Sequence, residues 1–132
     1  WNQYDNEIND EFVDMYTSAY GKVPDLFTAG TFTSASAIVQ AVQESGSTDG
    51  QDIAAALRGM TVADTPKGED GYRFQEYNNQ AASSMTVADV VPTQDEWSDS
   101  WNAAVQPSEP VATIGADVST IPASSDQMDC SR

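Results

Sequence analysis

The side chains that could do chemistry here are mostly carboxylates, and the usual partners of a catalytic carboxylate are missing. The sequence contains 21 Asp and Glu residues and no histidine. The commonest general base and metal-ligating side chain is therefore absent. No acidic pair stands out among so many as an acid–base couple. Asp5-Asn6-Glu7 and Glu69-Asp70 could hold a cation, but neither has the spacing of a calcium loop, so both read as hydrated surface. The one thiol, Cys130, has Asp126, Asp129 and Ser131 beside it rather than a base or a cation, and does not read as a nucleophile. It could be a free thiol on a loose tail, or be bridged to another chain or to a part of a longer protein. There is no GxSxG, P-loop or GxGxxG pattern. The sequence thus points away from an enzyme, and no cofactor or metal is implied.

Phe27 and Phe32 flank Thr28 and Thr31 in a short apolar stretch, where the two hydroxyls could meet a polar ligand. Trp97 and Trp101, four residues apart, could form a stacking platform for a sugar or a partner, or cover a core edge. Core packing for the two phenylalanines and capping for Thr31 are the structural alternatives.

The elements that would position these residues follow from periodicity. Ile8, Phe12, Met15, Tyr16 and Ala19 make one apolar stripe of a first helix, which opens on acids and stops at Gly21 before Pro24. Residues 25–32 read as an apolar lead-in to a second helix capped by Thr31 or Thr33, with Ala35, Ile38, Val39 and Val42 as its inner stripe. Thr48 to Gln51 has capping-box spacing and opens a short third helix that ends at Gly59. Beyond a turn-rich stretch at 66–71, Tyr72-Arg73-Phe74 and Met85–Val91 read as two strands of an antiparallel hairpin. From Thr93 the chain is rich in Ser, Pro, Asp and Thr. A helical turn or two is expected at 96–105, and irregular extended chain past Pro107. The division is thus 1–92 and an acidic tail, 93–132.

Composition limits the partners. Five basic residues (Lys22, Arg58, Lys67, Arg73 and Arg132) leave a net charge of −16, so nucleic acid is not an expected partner. Dispersed carboxylates with little lysine keep a protein soluble at the cost of self-repulsion, a balance used by halophiles. No apolar run approaches the roughly 18 residues needed to span a bilayer, and no signal-peptide pattern is present. The chain opens on Trp1 without an initiator Met, as expected of a processed product or a fragment.

The order of these pieces resembles one family. Phe12-Val13-Asp14-Met15-Tyr16 with Tyr20-Gly21-Lys22-Val23-Pro24 is similar to the Phe-Val-x-x-Tyr…Tyr-Gly-x-x-Pro of type I solute-binding proteins of ABC transporters. These serve branched-chain amino acids, amides and urea. Phe32 to Ser47, Ile53 to Gly59, and Gly71–Phe74 with Asn79-Gln80-Ala81 continue the likeness, which covers about residues 4–92. Phe32 stands where Tyr is common, and Thr33 replaces the usual Asp. The resemblance implies the C-terminal portion of a two-lobed α/β receptor, of haloarchaeal type given the charge, whose other lobe and most strands are encoded upstream. It further implies an extracellular, lipid-anchored parent protein and an ABC permease as partner. Phe27, Thr28 and Phe32 would line the cleft for a small polar solute. The fragment is expected to self-associate through its helix faces. A stand-alone acidic interaction module without a cleft is the competing reading.

Overall fold

The computed structural model describes residues 4–68, 71–94 and 101–125. It is an α/β chain whose three main helices precede its antiparallel strands. Helix α1 (Glu7–Tyr20) begins where the Asn6 side chain accepts the Asn9 N–H, and ends at Gly21, whose φ of 68° lies in the left-handed region that favours glycine. Helix α2 (Leu26–Ser45) and helix α3 (Gly50–Leu57) follow. Their N-caps are Asp25 and Asp49, not the threonines expected from the sequence. An aspartate caps as well as or better than a threonine; Asp25 stands six residues before Thr31, and Asp49 directly follows Thr48. As a result α2 starts at Leu26, and the expected lead-in segment is its first two turns.

Thr33, Ala37 and Ala41, four residues apart, form the buried line of α2. Ala37 and Ala41 pack with Met60 and Val62, and Ile53, Leu57, Tyr72 and Phe74 close round them. The small side chains let the neighbouring backbone approach closely. Gln40 anchors this contact at its edge, donating to the Thr61 carbonyl at 2.9 Å and accepting the Ala63 N–H at 3.0 Å. On the far side Phe27, Ile38 and Val39 are exposed, as are Met15 and Tyr20 of α1.

The strands form two separate sheets. Strands β1 (Thr61–Val62), β2 (Tyr72–Phe74) and β3 (Ala81–Ala82) pair antiparallel in that order. Strand β4 (Met85–Pro92) pairs instead with β5 (Val105–Ile114), from Met85 opposite Ile114 to Pro92 opposite Val105. The expected hairpin between Tyr72–Phe74 and Met85–Val91 is therefore not formed, because β2 already has β1 on one edge and β3 on the other. The chain past Pro107 is not irregular either. It continues β5 and then makes a single turn of helix, α4 (Ala116–Ser119). Of the helix expected at 96–105, residues 101–104 are not helical. Trp97, Glu69-Asp70 and Cys130 lie outside the described residues. No helix among the described residues is long and apolar enough to cross a membrane.

Candidate functional site

Pro24 and Val23 are buried and fix the chain as it enters α2. The Asp25 carboxylate then accepts both the Thr28 hydroxyl at 2.6 Å and the Thr28 N–H at 2.8 Å. These bonds, the hydroxyl first, hold the Asp25 carboxyl below the ordinary aspartate pKa. A depressed folded pKa stabilises the fold above the unfolded value, and that contribution is lost as pH falls through the folded one. Acid titration followed by the amide signal of Thr28 is expected to show the cap opening below the ordinary aspartate range. Asp25→Asn should retain the cap without this pH dependence. An unchanged Thr28 profile in that variant would show that Asp25 does not control the helix start.

The three residues singled out by sequence do not converge. Phe27 is 81% exposed, as is Leu26 beside it. The Thr28 hydroxyl is committed as a donor to Asp25. Phe32 turns to α1 and packs on Phe12 with ring centroids 4.9 Å apart. Thr31 donates to the Phe27 carbonyl inside the helix. The first turn of α2 thus presents an outward apolar pair, Leu26 and Phe27, next to a hydrogen-bonded hydroxyl, while Phe32 joins the packing between helices.

Between the first two turns of α2 and the 63–68 loop lies a cavity of about 320 Å³, lined by Tyr4, Asp25, Leu26, Ala29, Lys67 and Tyr72 among others. Lys67 was not legible as a site residue in the sequence. Its ammonium sits 4.9 Å from the centre of the Tyr72 ring and donates to the Ser83 hydroxyl at 2.8 Å and to the Ser84 carbonyl. Burial lowers its pKa. Burial raises that of Tyr72, assisted by Tyr4 and opposed by a hydrogen bond from Ser83. Lys67 therefore joins the 63–68 loop to the start of β4, and the cavity walls are chiefly aromatic and aliphatic. Asp25 was legible in principle, since Pro-Asp-x-x-Thr is a helix-start pattern. No cluster of three or more potential metal ligands occurs among the described residues. The arrangement can hold a solute with an apolar body and a polar end.

A search of curated proteins finds no match. Among solved structures, an ABC-type branched-chain amino acid transporter from Rhodopseudomonas palustris CGA009 aligns at 34% identity and a TM-score of 0.70, over 89% of this chain and 29% of that one. An ABC transporter protein from Rhodopseudomonas palustris aligns at 39% identity and a TM-score of 0.55, over 64% of this chain and 25% of that one. A solute-binding protein of an ABC transporter from Rhodopseudomonas palustris BisB5, in complex with 3,4-dihydroxybenzoic acid, shares the fold at 19% identity and a TM-score of 0.66, covering 84% of this chain and 28% of its own. The chain spans less than a third of the length of each. The family profile described as periplasmic binding protein matches residues 1–96, and members of that family are transport receptors for solutes rather than enzymes. This chain belongs to the periplasmic binding protein family.

Proposed function

We propose that the chain is the C-terminal portion of an extracellular receptor, lipid-anchored at the surface of a salt-adapted, haloarchaeal cell. The receptor captures a small polar nutrient such as an amino acid, an amide or urea for an ABC importer. The observation that carries this reading is large apolar side chains on α2 beyond its packed face. A surface helix normally keeps its apolar residues on the packed side, and here one side packs on α3 and β1 while Phe27, Ile38 and Val39 are left exposed. Strands encoded upstream would cover that exposed side, with residues 1–92 forming part of a lobe and 93–132 following as the tail. Closure of the two lobes round the solute would then present a surface to the permease. Phe27, Thr28 and Phe32 mark the helix end that would face the cleft, with Phe27 as its aromatic wall. The branched-chain amino acid transporter from Rhodopseudomonas palustris CGA009, at 34% identity, favours an amino acid among the candidate solutes. Without its covering layer, the isolated piece would associate with itself through α1 and α2.

Calorimetry tests the reading. The 132-residue chain alone is expected to give no heat with micromolar leucine, acetamide or urea, whereas the longer receptor containing it binds one of them. Micromolar binding of any of the three by the chain alone would show that the cleft does not need the rest of the receptor. Failure of the longer protein to bind any small solute would overturn the transport reading.

A further inference from the structure

The face of the three-stranded sheet turned away from α2 borders an open hollow. Side chains alternate along a strand. Tyr72 and Phe74 pack into the core, so Arg73 projects from the opposite face, and Gln75 lies on that side beyond it. The segment 116–122 lies over this face and is tied down at two points. Ser119 donates to the Ser83 carbonyl at 2.9 Å, and the Tyr77 hydroxyl donates to the Ile121 carbonyl at 2.7 Å. Between sheet and segment is a cavity of about 460 Å³, a volume within the ordinary range for small-ligand sites.

Several polar groups border this cavity. The guanidinium of Arg73, the amide of Gln75, the hydroxyls of Ser84 and Thr120 and the carboxylate of Asp117 all line it. None has a hydrogen-bonding or ion-pair partner among the described residues. Each calls for a different group on a ligand. Arginine presents a planar fork that matches a carboxylate through two parallel bonds. Ionised aspartate can only accept, so it requires a donor. The amide and the two hydroxyls give and take hydrogen bonds, as hydroxyl groups on a ligand would. The Tyr77 ring supplies an apolar wall for the carbon chain. A simple acid would leave Asp117 facing another anion with nothing to accept, and a neutral sugar would leave the Arg73 fork unfilled.

We propose that this cavity binds a small polyhydroxylated carboxylate, of the sugar-acid class, with its carboxylate on Arg73 and its hydroxyls on Asp117, Gln75, Ser84 and Thr120. The residues that line the cavity all belong to this chain, on the sheet face away from α2. Titration of the 132-residue chain with gluconate, D-glucose and acetate, in salt where circular dichroism shows it folded, tests the assignment. Gluconate is expected to bind about tenfold more tightly than either of the others, the effect of adding or removing one charge-assisted contact. Arg73→Gln should abolish the preference for gluconate over glucose. If circular dichroism shows that variant unfolded, Asp117→Ala serves instead and should abolish the preference for gluconate over acetate. Equal binding of the three compounds, no binding of gluconate, or full gluconate binding by a folded variant would each overturn the proposal.

Discussion

The helical circular dichroism signal of this chain is expected to collapse when KCl is lowered from about 2 M to about 0.05 M, and to return when the salt is restored. The sequence carries 21 acids against five basic residues, and α1 shows where the strain lies. Glu7, Asp10, Glu11 and Asp14 all sit on that helix, are all exposed, and share it with no Lys or Arg. Glu7 with Glu11 and Asp10 with Asp14 are like charges one turn apart, each pair costing about 0.2–0.5 kcal/mol. Those in the first turn gain from the helix dipole, but the remainder simply repel. The screening distance is ~3 Å at 1 M salt and ~30 Å at 0.01 M, so dilution exposes every acid to its neighbours. Native stabilities of about 5–15 kcal/mol leave little margin for such a sum. A spectrum identical at both salt concentrations would remove the case for a salt-adapted source and leave the family assignment untouched.

Gly71→Ala is expected to lower the urea midpoint, with a loss of about 1–3 kcal/mol, the usual cost of forcing extra atoms into a packed site. A Cβ at position 71 would stand 2.4 Å from the Thr65 hydroxyl and 2.8 Å from the Lys67 Cβ. Thr65 cannot easily give way. It is completely buried, and its hydroxyl donates to the Gly68 carbonyl while accepting the Lys67 N–H. Moving it would also shift Lys67 away from Ser83 and Tyr72. The required glycine therefore supports both the turn and the ammonium that ties the 63–68 loop to β4. A midpoint unchanged within error would mean that the loop relaxes without cost.

The helices were readable because apolar residues repeat at helical spacing and glycines close α1 and α2, but the inner stripe expected for α2 was misplaced: Ala35, Ile38 and Val39 are exposed, and the smaller Thr33, Ala37 and Ala41 are buried instead. Their starts were not, since Asp25, Thr28, Thr31 and Thr33 are all plausible caps and only the folded turn selects among them. Strand pairing was harder still. Tyr72–Phe74 and Met85–Val91 look like neighbours because a turn separates them, yet the partner of β4 is β5, which its sequence disguised. Pro107 and Pro110 interrupt any alternation there, and prolines argue against a strand except at an edge. The surroundings of the candidate site residues were not legible from residue type. Phe27 and Phe32 are five positions apart on one helix, and that spacing sends them to different surroundings, one to solvent and one to Phe12. Lys67 gave no signal, because its role depends on Ser83 and Ser84, sixteen and seventeen residues further on.

The β4–β5 ribbon has one further consequence. Among the described residues each strand has a single neighbour, which leaves the margins of the ribbon open to recruitment by a foreign strand. Pro107 and Pro110 remove two amide donors from β5. The pairing slips on either side of Ala88, next to Asp89, whose own N–H is occupied by the Ser108 hydroxyl. A broken, charged and donor-poor margin is a poor template for growth by strand addition. Crowded preparations of this chain should therefore cluster through their oily flats into small soluble assemblies and not lengthen into fibres.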